Sequence, residues 1–102
     1  MKKGGYVYIL TNSSNVVLYV GVTSNLAYRL HQHLTDRFEN SFTGRYRVKK
    51  LVYYEEFDCI EDAIRREKQL KAGSRHKKIE LINRFNPDWK DLFNAINRGI
   101  IS

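Results

Sequence analysis

The chain has a single cysteine, Cys59, and a single proline, Pro87, among 102 residues. One cysteine excludes an internal disulfide, and a reducing compartment is the natural expectation. With no second cysteine and no close histidine, Cys59 builds neither a zinc site nor an evident thiol catalyst. No CxxC, GxGxxG or P-loop pattern occurs, which argues against dinucleotide binding and nucleoside triphosphate hydrolysis. No long apolar run follows the basic start Met1-Lys2-Lys3-Gly4-Gly5, so it reads as neither a signal peptide nor a membrane anchor. A soluble cytoplasmic protein without membrane contact is expected. Repeats, low-complexity tracts and interdomain linkers are also missing, and the length suits one domain, 1–102, around one core. Acidic residues are in the minority, eleven against eighteen basic, for a net charge of +7. Charge alone leaves open a polyanionic partner, most often nucleic acid, or simply a well-solvated basic surface.

What is present organises itself around residues 6–33. Two apolar, β-branched runs, 6–11 and 16–22, flank the polar break Asn12-Ser13-Ser14-Asn15 and read as a hairpin. Leu26, Leu30 and Leu34 recur at helical spacing, which predicts a helix over 25–36 with Thr23 or Ser24 as its cap. Residues 37–47 mix aromatic and basic side chains without a period and read as a loop. A third strand is expected over 48–57. Asp58 and Glu61 form a capping-box pattern for a second helix that Gly73 ends. Ser74 starts a third helix. Asn86-Pro87 suits the N-cap and first position of a fourth, which Gly99 closes. The order is β-β-α-β-α-α-α. Three strands cannot cover themselves, so the expected fold is α+β, a small, mostly antiparallel sheet flanked by helices.

Tyr8 and Tyr19 lie on neighbouring strands and can face each other, and Arg29 and His33, four apart, share one helix face. Two phenols, a guanidinium and an imidazole over one sheet face suit phosphodiester chemistry. Each also has a plainer reading: strand tyrosines pack, and a helical arginine at the edge of an apolar stripe is solvated or ion-paired. Glu67 interrupts the stripe of Ile60, Ala63, Ile64 and Leu70, so helical spacing turns it inward. A carboxylate there costs several kcal/mol unless it is paired or holds a cation. A salt bridge to Arg29 or another base and a divalent-metal site explain it equally well. Around it, residues 65–78 carry Arg65, Arg66, Lys68, Lys71, Arg75, Lys77 and Lys78. With Arg45 and Arg47 they form a candidate footprint for a nucleic-acid backbone.

Taken together and in order, these stretches resemble the GIY-YIG nuclease superfamily over nearly the whole chain. They are Tyr6-Val7-Tyr8-Ile9-Leu10, Leu18-Tyr19-Val20-Gly21-Val22-Thr23, Phe42-Thr43-Gly44-Arg45-Tyr46, Leu51-Val52-Tyr53-Tyr54-Glu55, Arg66-Glu67-Lys68-Gln69-Leu70-Lys71 and Asn86-Pro87-Asp88-Trp89. The likeness is strongest to small, single-domain bacterial members, which resemble the N-terminal nuclease domain of the excision-repair endonuclease. The resemblance implies an endonuclease that hydrolyses DNA with Mg²⁺, or another divalent cation such as Mn²⁺, in DNA repair or processing. It implies that Tyr8 helps activate the attacking water and that Tyr19 orients the water or the phosphate. Arg29 would stabilise phosphate charge, His33 would shuttle a proton, and Glu67 would hold the metal. Gly21 would permit close approach of substrate, and Asn86 would support the phosphate site. One departure bears on pocket shape: where the family motif begins with Gly, this chain has Tyr6, and Gly5 stands one place early. The alternative from another class is a nucleic-acid-binding module that keeps the fold without cutting.

Overall fold

The computed structural model describes residues 4–34 and 48–95. Strands β1 (Gly5–Thr11), β2 (Leu18–Thr23) and β3 (Lys50–Phe57) form one sheet in the order β2-β1-β3, antiparallel throughout. Helices α1 (Leu26–Leu34), α2 (Ile60–Ala72) and α3 (Arg75–Phe85) flank it. A further helical turn appears at 93–95. This is the α+β architecture and the element order that the sequence predicts.

Apolar side chains alternate along β1, so both faces of the sheet are buried. One face carries Val7, Ile9, Val20 and Tyr53 against Ala63 and Leu70 of α2 and Ile82 of α3. The other carries Tyr8, Leu10 and Leu51 against Leu26 and Leu30 of α1. Gly5 leaves α2 room to approach β1: a Cβ there would stand 2.7 Å from Ile60 Cδ1 and 2.9 Å from the Ala63 Cβ.

Several element ends differ from expectation, each for a local reason. Strand β2 begins at Leu18, not Val16, because Asn12 Oδ1 accepts from Val16 N (2.8 Å) and Val17 N (3.2 Å). Those amides are spent inside the turn, where Asn15 adopts φ 59°. The cap of α1 is Asn25, whose Oδ1 accepts from Tyr28 N at 3.1 Å. Thr23 instead closes a small turn onto the Asn25 backbone. Helix α2 is capped from Cys59, one place beyond Asp58, and no side chain completes the cap. Glu61 therefore falls one position short of the capping-box site and accepts from the Cys59 thiol (2.9 Å). Ser74 caps α3 as predicted, its Oγ accepting from Lys77 N at 3.1 Å.

Asn86 is not the N-cap of a fourth helix. It closes α3, its N–H donating to Ile82 O. The pairing of β1 with β3 slips between Ile9 and Leu10, leaving Val52 as the extra residue of a bulge. Asn86 Nδ2 donates to the Val52 carbonyl (3.2 Å) and to Lys90 O (2.8 Å), and its Oδ1 accepts from Lys90 N (3.1 Å). Residues 87–92 wrap around this amide, with Trp89 at φ 52°, and the helical turn starts only at 93. Asp91 Oδ1, accepting from Phe93 N and Leu51 N, ties that turn to β3. Among the described residues, no helix is long and apolar enough to cross a membrane.

Candidate active site

The hairpin register sets the site. Tyr8 stands opposite Gly21, and Leu10 opposite Tyr19, so both phenols project from the same face as diagonal neighbours. Their ring centroids are 6.4 Å apart, tilted by 41°. Tyr8 is 1% exposed, whereas Tyr19 is half-buried. The Tyr8 ring lies across its cross-strand partner. A Cβ on Gly21 would stand 2.4 Å from both Cζ and Oη of Tyr8. The close approach that Gly21 permits is thus to the tyrosine itself, and any larger residue displaces the phenol.

Tyr8 titrates well above the usual phenol range. Burial is the main cause; the Tyr19 phenol adds to it, the Arg29 guanidinium opposes it, and the Glu67 carboxylate adds to it again. These four side chains come from β1, β2, α1 and α2, and they are mutually within electrostatic reach of one phenol. Arg29 is half-buried one turn into α1, beside the anchoring Leu30. His33 falls in the last turn of α1, and its side chain lies outside the described residues, as do Arg45 and Arg47.

Glu67 is turned inward as its spacing predicts, with 13% of its side chain exposed. Its partner is Lys71, one turn on, at 2.7 Å, and not Arg29. No cluster of three or more His, Cys, Asp or Glu side chains occurs among the described residues. Among the described residues, Glu67 would therefore hold a divalent ion with fewer than two further side chains of these types. Mg²⁺ tolerates that, being held often by one or two carboxylates and otherwise by water and phosphate. The donor set fits such an ion, provided that Lys71 yields its place.

The basic residues expected to act as one footprint divide into separate roles. Lys68, Arg75 and Lys77 are exposed. Lys71 is tied to Glu67, and Arg66 to Glu55 at 3.1 Å. Asn86 is buried, its amide committed to backbone at the bulge.

Sequence reasoning missed the network around Arg66. Tyr53 donates to Glu55, which also accepts from Arg66 Nε, while Arg66 Nη1 donates to Gln69 at 2.6 Å. Burial, reinforced by Glu55, pushes the Tyr53 phenol up to about 12. Burial opposes the charge on Arg66, but Glu55 outweighs it and the guanidinium holds its proton more tightly. The available signal was Tyr53 and Glu55 two apart on a strand, hence on one face.

Comparison with known proteins bears on the family of the chain. The GIY-YIG catalytic domain matches residues 4–80. A UPF0213 protein of Syntrophus aciditrophicus is 39% identical over 83 residues, 81% of this chain and 93% of that protein. A UPF0213 protein of Natronomonas pharaonis is 36% identical over 77 residues, 76% of this chain and 88% of its own length. Among solved structures, the solution NMR structure of a UPF0213 protein from Bacillus halodurans superposes with a TM-score of 0.54 at 28% identity, covering 86% of this chain and 92% of that one. The chain belongs to the GIY-YIG catalytic domain family, alongside its UPF0213 members.

Proposed function

We propose that the protein is a divalent-metal-dependent endonuclease that hydrolyses phosphodiester bonds in DNA. The observation that carries this reading is the pair of phenols Tyr8 and Tyr19 on one sheet face, ring centroids 6.4 Å apart, with Arg29 and Glu67 within electrostatic reach of the buried Tyr8. That set supplies hydrogen-bonding groups for a water molecule, a cation for phosphate oxygens and a carboxylate for a metal.

Tyr8 keeps its proton at neutral pH, as an ordinary phenol does, and burial holds that proton more tightly still. Its Oη therefore orients the attacking water by hydrogen bonding and does not begin as a phenolate base. Tyr19, more accessible, lies beside the same water or the scissile phosphate. Arg29 stabilises charge developing on the phosphate oxygens. Glu67 is the residue that would hold Mg²⁺ or Mn²⁺, and such an ion supplies Lewis-acid polarisation of the phosphate when bound. Gly21 keeps the Tyr8 ring in place across β2. The exposed Lys68, Arg75 and Lys77 give the backbone of DNA its salt-sensitive attraction.

A second reading has one observation in its favour. The Glu67–Lys71 ion pair already satisfies the inward carboxylate, as it would in a binding module that does not cut. A cleavage assay on branched, flapped, single-stranded and duplex DNA, with and without Mg²⁺, separates the two. Mg²⁺-dependent product on any of these supports the nuclease. Salt-sensitive binding without product on all of them supports the module.

A further inference from the structure

A cleft of about 380 Å³ lies between α2 and α3, away from Tyr8. Its size falls within the ordinary range of small-ligand sites, roughly 300–1,000 Å³. Its walls carry Arg66, Lys77, Lys78 and Arg84 against one carboxylate, Glu80. The cations differ in their freedom. Arg66 is engaged by Glu55, whereas Lys78 Nζ donates to the Gly73 carbonyl (3.0 Å), a neutral acceptor. Lys77 and Arg84 form no ion pair among the described residues. The one acid is turned to its own helix, Glu80 Oε1 lying 2.9 Å from His76 Nε2. Beneath this rim Leu70, Leu81 and the side-chain-free Gly73 line the cleft. A bare anion would satisfy the rim and leave the apolar part unfilled.

We propose that this cleft binds a nucleotide unit, with its phosphate among Lys77, Lys78 and Arg84 and its base over Leu70 and Leu81. Two sources offer that chemistry, a free mononucleotide and a nucleotide of a bound strand. The second follows from the surface between the cleft and the candidate active site. Leu18, Tyr19, Val20, Lys71 and Lys78 line a depression of about 320 Å³, so Lys78 belongs to both hollows. Lys78, with the Glu67-paired Lys71 beside it, thus joins the surface next to Tyr19 to the cleft. The strand route rests on the nuclease reading, whereas the affinity of the cleft for a nucleotide does not.

The test titrates the full chain with inorganic phosphate, with deoxyadenosine monophosphate and with an eight-nucleotide thymidylate, following backbone amide signals by NMR. The mononucleotide should shift the amides of Leu70, Gly73 and Leu81 saturably and bind at least about tenfold more tightly than phosphate. The variant K77E/R84E, altered only at exposed positions, should keep its melting temperature and lose about tenfold or more in mononucleotide affinity. An oligonucleotide that shifts both the cleft and Tyr19 identifies the strand as source, and one that shifts neither identifies the free nucleotide. A mononucleotide that leaves the cleft amides unmoved, or binds no better than phosphate, overturns the proposal. If the parent fails to cleave any DNA while the mononucleotide still saturates the cleft, the nuclease reading fails and the cleft stands. If the parent cleaves while K77E/R84E binds the mononucleotide undiminished, the reverse holds.

Discussion

Each face of the sheet buries a tyrosine near a glutamate and a cation, and the two faces use that trio differently. On the face of α2 and α3, Tyr53 and Arg66 both bond to Glu55, and the three close on one another. On the face of α1, Tyr8 lies across Gly21, under the combined influence of Tyr19, Arg29 and Glu67. Glu67 meets its base, Lys71, at the next turn of its own helix rather than across the sheet. The lysine end of that pair is 54% exposed, so its ammonium can return to water once a cation takes its place at the carboxylate. A half-buried Arg–Glu pair anchored by a third side chain is less easily parted. The first trio is therefore read as scaffold and the second as a site, although their residue types are nearly the same.

Ile82→Ala should give the largest loss of stability. Ile82 is 0% exposed in the core beneath α3, and removing its side chain should cost about 2–5 kcal/mol. The molecules that remain folded should keep the parent's behaviour toward DNA. Chemical denaturation alongside a DNA assay per folded molecule checks this. A variant of normal stability, or one selectively impaired toward DNA, would break the division between scaffold and site.

Gly21→Ala should be next, at roughly 1–3 kcal/mol, because the new methyl overlaps the Tyr8 ring. Its signature is the pairing of that modest loss with a displaced phenol. Tyr8→Phe added to it should recover little, since Cζ and the ring edge clash as well as Oη. Denaturation midpoints of the single and double variants decide the point.

The smallest effect is on alkaline stability, and it concerns both faces. Tyr8 and Tyr53 have folded pKa values raised above the unfolded value of about 10. Their contribution is complete below pH 10 and is lost as pH rises through the folded values, about 12 for Tyr53. Stability should accordingly fall above pH 10. Tyr53→Phe and Tyr8→Phe should each flatten that fall, as urea unfolding between pH 9 and 11 would reveal.

Much of this was legible in the sequence where periodicity speaks. Strand alternation and the spacing of Leu26 and Leu30 give the sheet and α1, and the hairpin register that follows brings Tyr8, Gly21 and Tyr19 together. The inward turn of Glu67 follows from its helical stripe. Its partner Lys71, four residues on, is the other base that the choice between Arg29 and another base left open. The element ends were less legible because side chains redirected backbone bonds. Asn12 removes two residues from β2, and a cap shifted to Cys59 undoes the capping box. Asn86 satisfies a bulge at Val52, and no local pattern announces an extra residue in a strand pair.

The central claim is that Glu67 serves a metal and Lys71 only stands in for it. Glu67→Gln keeps the shape and removes the charge, so cleavage of DNA in Mg²⁺ measured together with melting temperature tests the claim on one variant. The account predicts a cleavage rate lower by orders of magnitude, a melting temperature near that of the parent, and DNA binding that persists. Cleavage at the parent rate in Mg²⁺, or a large drop in melting temperature with no metal-dependent activity in the parent to lose, would contradict it.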